Sequence, residues 1–352
     1  MVNKLFTRKK KYMKVAIVGF GNAGKHYLNL LRSKKIKEIF VIEKKIIPKS
    51  KFYKKISFAE IKKKKIFFDF VFISSPSGLH YNQAKFFLER NSNVLIEKPF
   101  VLNLKDAKDL IKISNKTKKK CWTALQNRHN KATIFFRKII NEKKIGKVSL
   151  VDCSMYWHRN KEYYSNGWRG TYKLDGGVLS NQAIHLLDTL INTFGEIKHY
   201  DVFANFDKKK LEAEDLLIIN FIHKNGVFSS FKATTRADRD YRSSIDVIGN
   251  NGRCMVNGIS LNTFYIHKKE KLTNIKKVSE KFKLGLGPVS GMGFGHKKIL
   301  DEFLSNKQKS SQKLEIKNNI YVLELIHSIY NTILKKKSFN IVKKVNSKLG
   351  KK

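Results

Sequence analysis

Val15-Ala16-Ile17-Val18-Gly19-Phe20-Gly21-Asn22-Ala23-Gly24 decides the fold of this chain. Four apolar residues read as a buried strand, the glycines as a tight turn, and the periodic stretch Ala23–Arg32 as the helix that follows. Each glycine has a separate role. Gly19 allows the turn, Gly21 lets backbone approach a pyrophosphate, and Gly24 lets helix pack closely on strand. The helix start at Asn22 and Ala23 offers free N–H groups and a partial positive charge to those phosphates. This is the fingerprint of a dinucleotide-binding turn.

Outward from that turn, short apolar runs alternate with amphipathic helices. Strands are expected at Lys14–Gly19, Glu38–Glu43, Phe68–Ser75, Asn93–Glu97 and Lys120–Leu125. Helices fit Ala23–Arg32, Leu79–Arg90 and Leu104–Ser114, while Ile61–Ile66 is too lysine-rich to assign. Such spacing predicts an α/β fold with a doubly wound parallel sheet over residues 13–126. Beyond Gln126-Asn127-Arg128 the rhythm changes, and a second, α+β domain is expected over 127–342. It begins with a helix at Ala132–Asn141 and a strand near Val148–Trp157, followed by a helix from Val178 to about Phe194. Five alternating stretches follow in Lys198–Phe206, Leu216–His223, Val227–Thr234, Ser244–Gly249 and Arg253–Val256. They are joined by turns such as Asn225-Gly226, which predict an antiparallel sheet. Helices near Lys297–Leu304 and Tyr321–Leu334 close the domain. Residues 1–12 read as a basic extension and 343–352 as a lysine-rich tail.

A chain of 352 residues with 41% hydrophobic content can build two sizeable cores. No apolar run is long enough for a bilayer, so no membrane partner is expected. Cys121, Cys153 and Cys254 match no metal or redox spacing, so no metal is expected and a reducing cytoplasm fits. The formal charge of +45 invites a nucleic-acid reading. Its lysines are scattered through helices and turns, without an arginine stripe or a reading module, so compositional drift explains it better. Anionic substrates would still be drawn in.

Glu43 ends the second strand, 24 residues after Gly19. A carboxylate there can accept both adenosine ribose hydroxyls and repel a 2′-phosphate, which favours NAD. Lys44 and Lys45 could pair with that extra phosphate, so NADP stays open. Ser75, Pro76 and His80 lie in and after a loop at the carboxyl edge of the sheet, where dinucleotides bind. Alone, His80 reads as structural. Lys98 follows the next strand at the same edge, where an ammonium can stabilise the alkoxide that develops as hydride leaves. Pro99 fixes its turn, and a cis bond between Lys98 and Pro99 is plausible. Asn181 and His185 are four residues apart, on one face of the expected helix. His185 can take a hydroxyl proton near neutral pH, and Asn181 can orient substrate or imidazole. Asp188 either contacts His185 or makes a structural salt bridge. Gly176-Gly177 would let the chain enter close to ligand.

These motifs together resemble the glucose–fructose oxidoreductase / inositol dehydrogenase family (Gfo/Idh/MocA). The likeness rests on Gly19–Gly24, on Asp69 to Pro76 with His80, on Val94-Leu95-Ile96-Glu97-Lys98-Pro99, and on Gly176-Gly177 through Asp188. Arg128, Ile145-Gly146-Lys147-Val148 and Gly295-His296 also fit. The resemblance implies a Rossmann domain plus a domain with a large, mainly antiparallel open sheet, whose exposed face makes homodimers or homotetramers. It implies catalysis by Lys98 and His185, with Glu97 beside the cofactor and Arg128 on the substrate side. Many relatives carry Asp where this chain has Asn181. The run from Trp168 to Gly177 with Asn181–His185 resembles the branch that oxidises UDP-N-acetylglucosamine uronic acid at C3, for surface-polysaccharide synthesis. The sequence therefore reads as an NAD-dependent dehydrogenase of a sugar or sugar nucleotide, with Asn181 and Arg169 as substrate ligands and Tyr163 or Tyr164 stacking on it. A free-sugar or cyclitol dehydrogenase is the alternative, and a non-catalytic nucleic-acid-binding or regulatory protein the alternative of another class.

Overall fold

The computed structural model describes residues 13–34, 36–165, 167–206, 211–268, 278–279, 295–305 and 314–335. The expected extension at 1–12 and tail at 343–352 lie outside them. In chain order the first part supplies β1 (Met13–Val18), α1 (Asn22–Arg32), β2 (Ile36–Ile42), β3 (Lys54–Lys55), α2 (Phe58–Lys63), β4 (Phe70–Ile73), α3 (His80–Leu88), β5 (Asn93–Ile96), α4 (Leu104–Thr117) and β6 (Cys121–Thr123). Its strands form a six-stranded sheet in the order β3-β2-β1-β4-β5-β6, with every pairing parallel.

The pattern of β1 explains its place at the centre. Val15 and Ile17 pack with Tyr27, Leu28 and Leu31 of α1, while Ala16 and Val18 join the core on the other face with Ala84 and Phe87. Helix α1 buries Gly24, Tyr27, Leu28 and Leu31, the spacing of a single helical stripe. The stretch too lysine-rich to assign overlaps the end of a helix, α2, whose start is legible in Ser57-Phe58-Ala59-Glu60. Ser57 accepts from the Glu60 N–H, and the Glu60 side chain reaches back to Ser57 N–H, a capping box.

The second part supplies α5 (Lys131–Asn141), β7 (Val148–Tyr156), α6 (Lys161–Tyr164), α7 (Ile184–Phe194), β8 (Ile197–Asn205), β9 (Leu216–His223), β10 (Phe228–Thr234), β11 (Arg242–Gly249), β12 (Gly252–Gly258), β13 (Thr263–Lys268) and β14 (Val278–Ser279). These strands form an eight-stranded sheet in the order β14-β13-β12-β11-β7-β10-β9-β8. It is mostly antiparallel, with one departure from expectation: β10 returns beside β7 in parallel. Inward residues such as Val151, Cys153, Phe231 and Ile245 pack beneath α5 and α7.

Two expectations need correction. The helix predicted from Val178 begins at Ile184. Ahead of it, the Ala183 N–H reaches Val178 O at 2.7 Å, a turn wider than α, because the backbone of 177–179 bonds elsewhere. The chain end, expected to stay with the second domain, instead returns to the first. Helix α8 (Gly295–Leu304) carries Ile299, Leu300 and Phe303 into the first core, and Leu314 O accepts from Thr123 N–H. Helix α9 (Ile320–Lys335) then spans both halves, placing Leu323 in the first core and Leu325, Ile326 and Ile329 in the second.

Candidate active site

Strand order brings the site together. Because β1, β4, β5 and β6 are neighbours and parallel, their carboxyl ends stand in a row and present Gly19–Gly24, Ser74–Gly78, Glu97–Pro99 and Gln126. Such an edge is where open α/β sheets bind ligands.

At its first position the glycines behave as the sequence required. Gly19 has φ +84°, and a Cβ on it would come within 2.7 Å of Ser75 N. A Cβ on Gly24 would lie 2.1 Å from Gly19 O, so only glycine lets α1 cross its own turn. A Cβ on Gly21 would meet nothing within 4 Å, which leaves open space at the head of the helix. Lys25 N–H makes the first intrahelical bond, to Gly21 O, and no side chain caps this end, so the amides of Asn22 and Ala23 remain available. Glu43 is held over the turn, accepting from Phe20 N–H at 2.8 Å and Lys45 N–H at 3.0 Å. Open space, free amides and a carboxylate beyond them fit a dinucleotide, whose phosphates Gly21–Ala23 would hold and whose ribose Glu43 would take.

The second loop is built as a brace. Ser74 Oγ donates to Val18 O and Gly19 O, while Ser75 Oγ donates to Gln83. His80 is buried, with its ring nitrogens 2.8 Å from Ser75 O and 3.0 Å from Pro99 O, so it ties this loop to the Lys98–Pro99 turn, whose bond is cis. Pro76 opens the short turn at Ser77–Leu79. Gly78 N–H donates to Leu174 O, and a Cβ on Gly78 would lie 2.1 Å from Lys173 O, so the two halves touch backbone to backbone here.

At the third position Lys98 Nζ donates to Asn181 O at 2.8 Å and to Asn181 Oδ1 at 3.0 Å. The other end of the same amide donates to Asp175 Oδ1. An asparagine at 181 can accept from a cation and donate to a carboxylate at once, which an aspartate cannot. Burial lowers the Lys98 pKa, against the raising charges of Glu97 and Asp175. Burial pushes Asp175 up to about 6, although Gly170 N–H and the charges of Lys98 and Arg169 oppose it. Glu97, expected beside the cofactor, turns to Tyr27 OH at 2.7 Å and His296 Nε2 at 3.3 Å. Burial would raise its pKa, but His296 first, with Tyr27 and Lys98, brings it down to about 2.

His185 enters from the second half in the first turn of α7. Its Nε2 lies 3.0 Å from the amide nitrogen of Gln126, a residue given no role from sequence although it lies just beyond the last parallel strand. Burial, then the Lys98 ammonium, holds the imidazole well below the usual histidine range. The ring is therefore neutral at ordinary pH and able to accept a proton.

Among the described residues, Arg128 turns to Asp188. The residue is 5% exposed and its guanidinium grips Asp188 through Nε at 2.8 Å and Nη2 at 2.5 Å, which fastens the Gln126–His129 turn to α7. The salt-bridge reading of Asp188 is thereby the correct one. Arg169 and the tyrosines instead form a wall. Arg169 stacks 3.9 Å over the Tyr163 ring and 4.8 Å over Trp168, with Arg159 5.3 Å over Tyr163 from the same region. Both guanidiniums lie near enough to lower the Lys98 pKa. Tyr163 OH accepts from Gln182, and Tyr164 OH bonds Thr235.

Known proteins share both parts of this fold. Residues 13–125 match the model of an oxidoreductase family with an NAD-binding Rossmann fold, and residues 135–255 match the GFO/IDH/MocA C-terminal domain. An uncharacterized Escherichia coli oxidoreductase, YhhX, is 29% identical over 38% of this chain and 37% of its own length. An uncharacterized oxidoreductase from Schizosaccharomyces pombe is 26% identical over 45% of this chain and 43% of its own length. The chain thus aligns with only about two fifths of the length of these curated relatives. Over whole chains the fold is shared with the WlbA dehydrogenase of Bordetella pertussis, solved with NADH and UDP-GlcNAcA. The TM-score is 0.75, with 20% identity, 92% of this chain and 97% of that one covered. A levoglucosan dehydrogenase solved with NADH gives TM-score 0.76 at 16% identity, covering 92% and 98%. From its two matched domains and the site they enclose, the chain belongs to the Gfo/Idh/MocA family of oxidoreductases, with an NAD-binding Rossmann domain.

Proposed function

We propose that this protein is an NAD(H)-dependent dehydrogenase that oxidises a secondary hydroxyl of a sugar, the sugar being a UDP-linked N-acetylhexosamine or its uronic acid, at C3. The observation that carries the reading is the meeting of Lys98 and Asn181 from opposite halves, with a neutral His185 close enough to feel the Lys98 charge. Bound NAD supplies the hydride acceptor. His185 takes the hydroxyl proton, the C–H electron pair leaves as hydride, and the carbon–oxygen double bond forms. Lys98 donates to the oxygen as its negative charge develops. Asn181 fixes the ammonium by two bonds and is itself fixed by Asp175, so the donor is aimed before substrate arrives. Arg169 and Arg159, stacked on Tyr163 and Trp168, offer cations and aromatic faces that suit an anionic nucleotide sugar. The solved B. pertussis relative holds UDP-GlcNAcA, which supports the same substrate class. Exposed apolar residues on the outer face of the eight-stranded sheet, Leu150, Phe203, Ile218, Phe228 and Ile248, support self-association through that face.

The test is a thermal-shift and NADH-formation screen across NAD(H), NADP(H), UDP-N-acetylglucosamine, its uronic acid, free glucose and inositol. Stabilisation and turnover with the UDP-linked sugar are expected. Turnover with free sugar or cyclitol alone would replace the substrate reading. Stabilisation by polynucleotide with no turnover of any sugar would overturn the enzymatic one.

A further inference from the structure

His185 has two ring nitrogens, and the protein treats them differently. Nδ1 is enclosed and has no hydrogen-bond partner among the described residues. Nε2 faces the Gln126 amide at 3.0 Å, and in the proposed reaction it is the nitrogen that meets the substrate hydroxyl. Gln126 is 7% exposed and firmly placed. It follows β6, the strand beside the one that carries Lys98, and a Cβ on Gly295 of α8 would come within 2.0 Å of its backbone oxygen. Its own Oε1 is enclosed without a partner among the described residues. An amide N–H donates, so this contact engages the lone pair that has to receive the proton.

We propose that Gln126 is a positioning residue for His185: its amide N–H holds the Nε2 lone pair in the substrate-free enzyme, keeping the ring neutral and oriented, and yields that lone pair to the substrate hydroxyl. The proposal rests on His185 as the base. On transfer the substrate O–H bond breaks and the Nε2–H bond forms, while bound NAD would supply the hydride acceptor, so Gln126 exchanges no atoms. A donor to the neutral form lowers a histidine pKa, as burial does. The other titratable groups facing the ring are Lys98 and Glu97 beyond β5 and His296 on α8. Asp188, one turn along α7, is committed to Arg128.

The experiment is a pH titration of 15N-histidine-labelled, NADH-bound protein by NMR, with His185 assigned through His185→Asn. It compares wild type, Gln126→Met and Gln126→Glu, and needs no sugar. Gln126→Met should raise the His185 midpoint, because the donor is lost. Gln126→Glu should raise it further, by about one unit or more, since a carboxylate within a few ångströms favours the imidazolium. The acid limb of kcat/KM with UDP-N-acetylglucosamine uronic acid should move in step, with NADH affinity unchanged. An unmoved midpoint in both variants, or a lowered one in Gln126→Met, overturns the proposal. Should neither variant fold, the wild-type shifts decide: a neutral ring protonated on Nδ1 is expected, and protonation on Nε2 contradicts it. Full turnover in His185→Asn would instead sink the base assignment itself. Loss of turnover there, with an unmoved Gln126→Glu midpoint, sinks only the role of Gln126.

Discussion

Two glycine turns enter this site from opposite halves of the molecule, and each uses its missing side chain differently. At Gly21 a Cβ would touch nothing within 4 Å, so the position is open to a ligand. At Gly177 a Cβ would lie 2.1 Å from Glu214 Oε2 and 2.4 Å from Glu214 O, and at Gly176 it would lie 2.1 Å from Ser180 Oγ. From sequence the second turn is expected to let the chain enter close to ligand or cofactor; in the structure protein fills the space beside its missing side chains. Gly177 N–H donates to Tyr330 OH, Val178 N–H to Glu214 O and Leu179 N–H to Glu214 Oε1, with Tyr330 OH bonded to Glu214 as well. Three successive amides are thereby fixed from below, and Asn181 is presented to Lys98 from above. One turn leaves space open at the head of α1, whereas the other is packed on protein and precedes the asparagine that meets Lys98.

The largest effect should come from breaking the contact between the halves. Lys98→Ala removes the proposed donor to the developing alkoxide and should slow turnover by about 10²–10³-fold, with NADH binding retained. Fluorescence titration beside steady-state rates would show it. Equal losses in both would return Lys98 to a structural role.

The turns themselves can be set against each other with one substitution. Gly177→Ala drives a methyl into Glu214 and should cost about 1–3 kcal/mol in denaturant unfolding, with lower turnover. Gly21→Ala should leave unfolding within about 0.5 kcal/mol of wild type and weaken NADH binding instead. The reverse pattern would break the comparison.

A smaller effect concerns cofactor choice at the open turn. With Glu43 at the ribose, NAD(H) should bind about tenfold tighter than NADP(H), and Glu43→Gln should narrow the gap. Equal affinities in wild type, measured by titration, would point to Lys44 and Lys45.

The smallest effect is electrostatic and belongs to the closed turn. Burial lifts the Glu214 pKa from 4.5 to about 7. A carboxyl raised on folding favours the native state most fully below the unfolded value, and loses that advantage as pH rises through about 7. The melting temperature of Glu214→Gln should therefore fall less than that of wild type between pH 5 and 9. Parallel curves would show that Glu214 does not ionise in this window.

The first half is legible in the sequence because its signals are local. Turn, helix stripe and strand run lie within 20 residues of Gly19, and the structure keeps each of them. The second turn is not, because its partners, Glu214 and Tyr330, are distant in sequence, and nothing in Gly176-Gly177 shows what will press against it. Asn181 and Lys98 each stand out in their own motifs, but their bond joins residues 83 apart. Arg128 reads as a substrate ligand, and its pattern cannot reveal that it also pairs with Asp188 in the core. Gln126 reads only as the residue where the first domain ends, yet its position past the last strand at the carboxyl edge is a usable signal.

The chemistry of the site stands or falls on His185 as the group that takes the proton. The direct measurement is the pH dependence of NAD-linked oxidation by wild type and His185→Asn, with NADH affinity measured alongside. Asparagine keeps polarity and approximate shape but cannot accept a proton near neutral pH. Wild type should stay active below the ordinary histidine range, because burial and Lys98 hold the ring neutral there, and lose rate only as pH falls through that lowered value. His185→Asn should bind NADH as wild type does and turn over about 10²–10⁴-fold more slowly. Near-wild-type turnover in that variant, with the acid limb intact, would contradict His185 as the base.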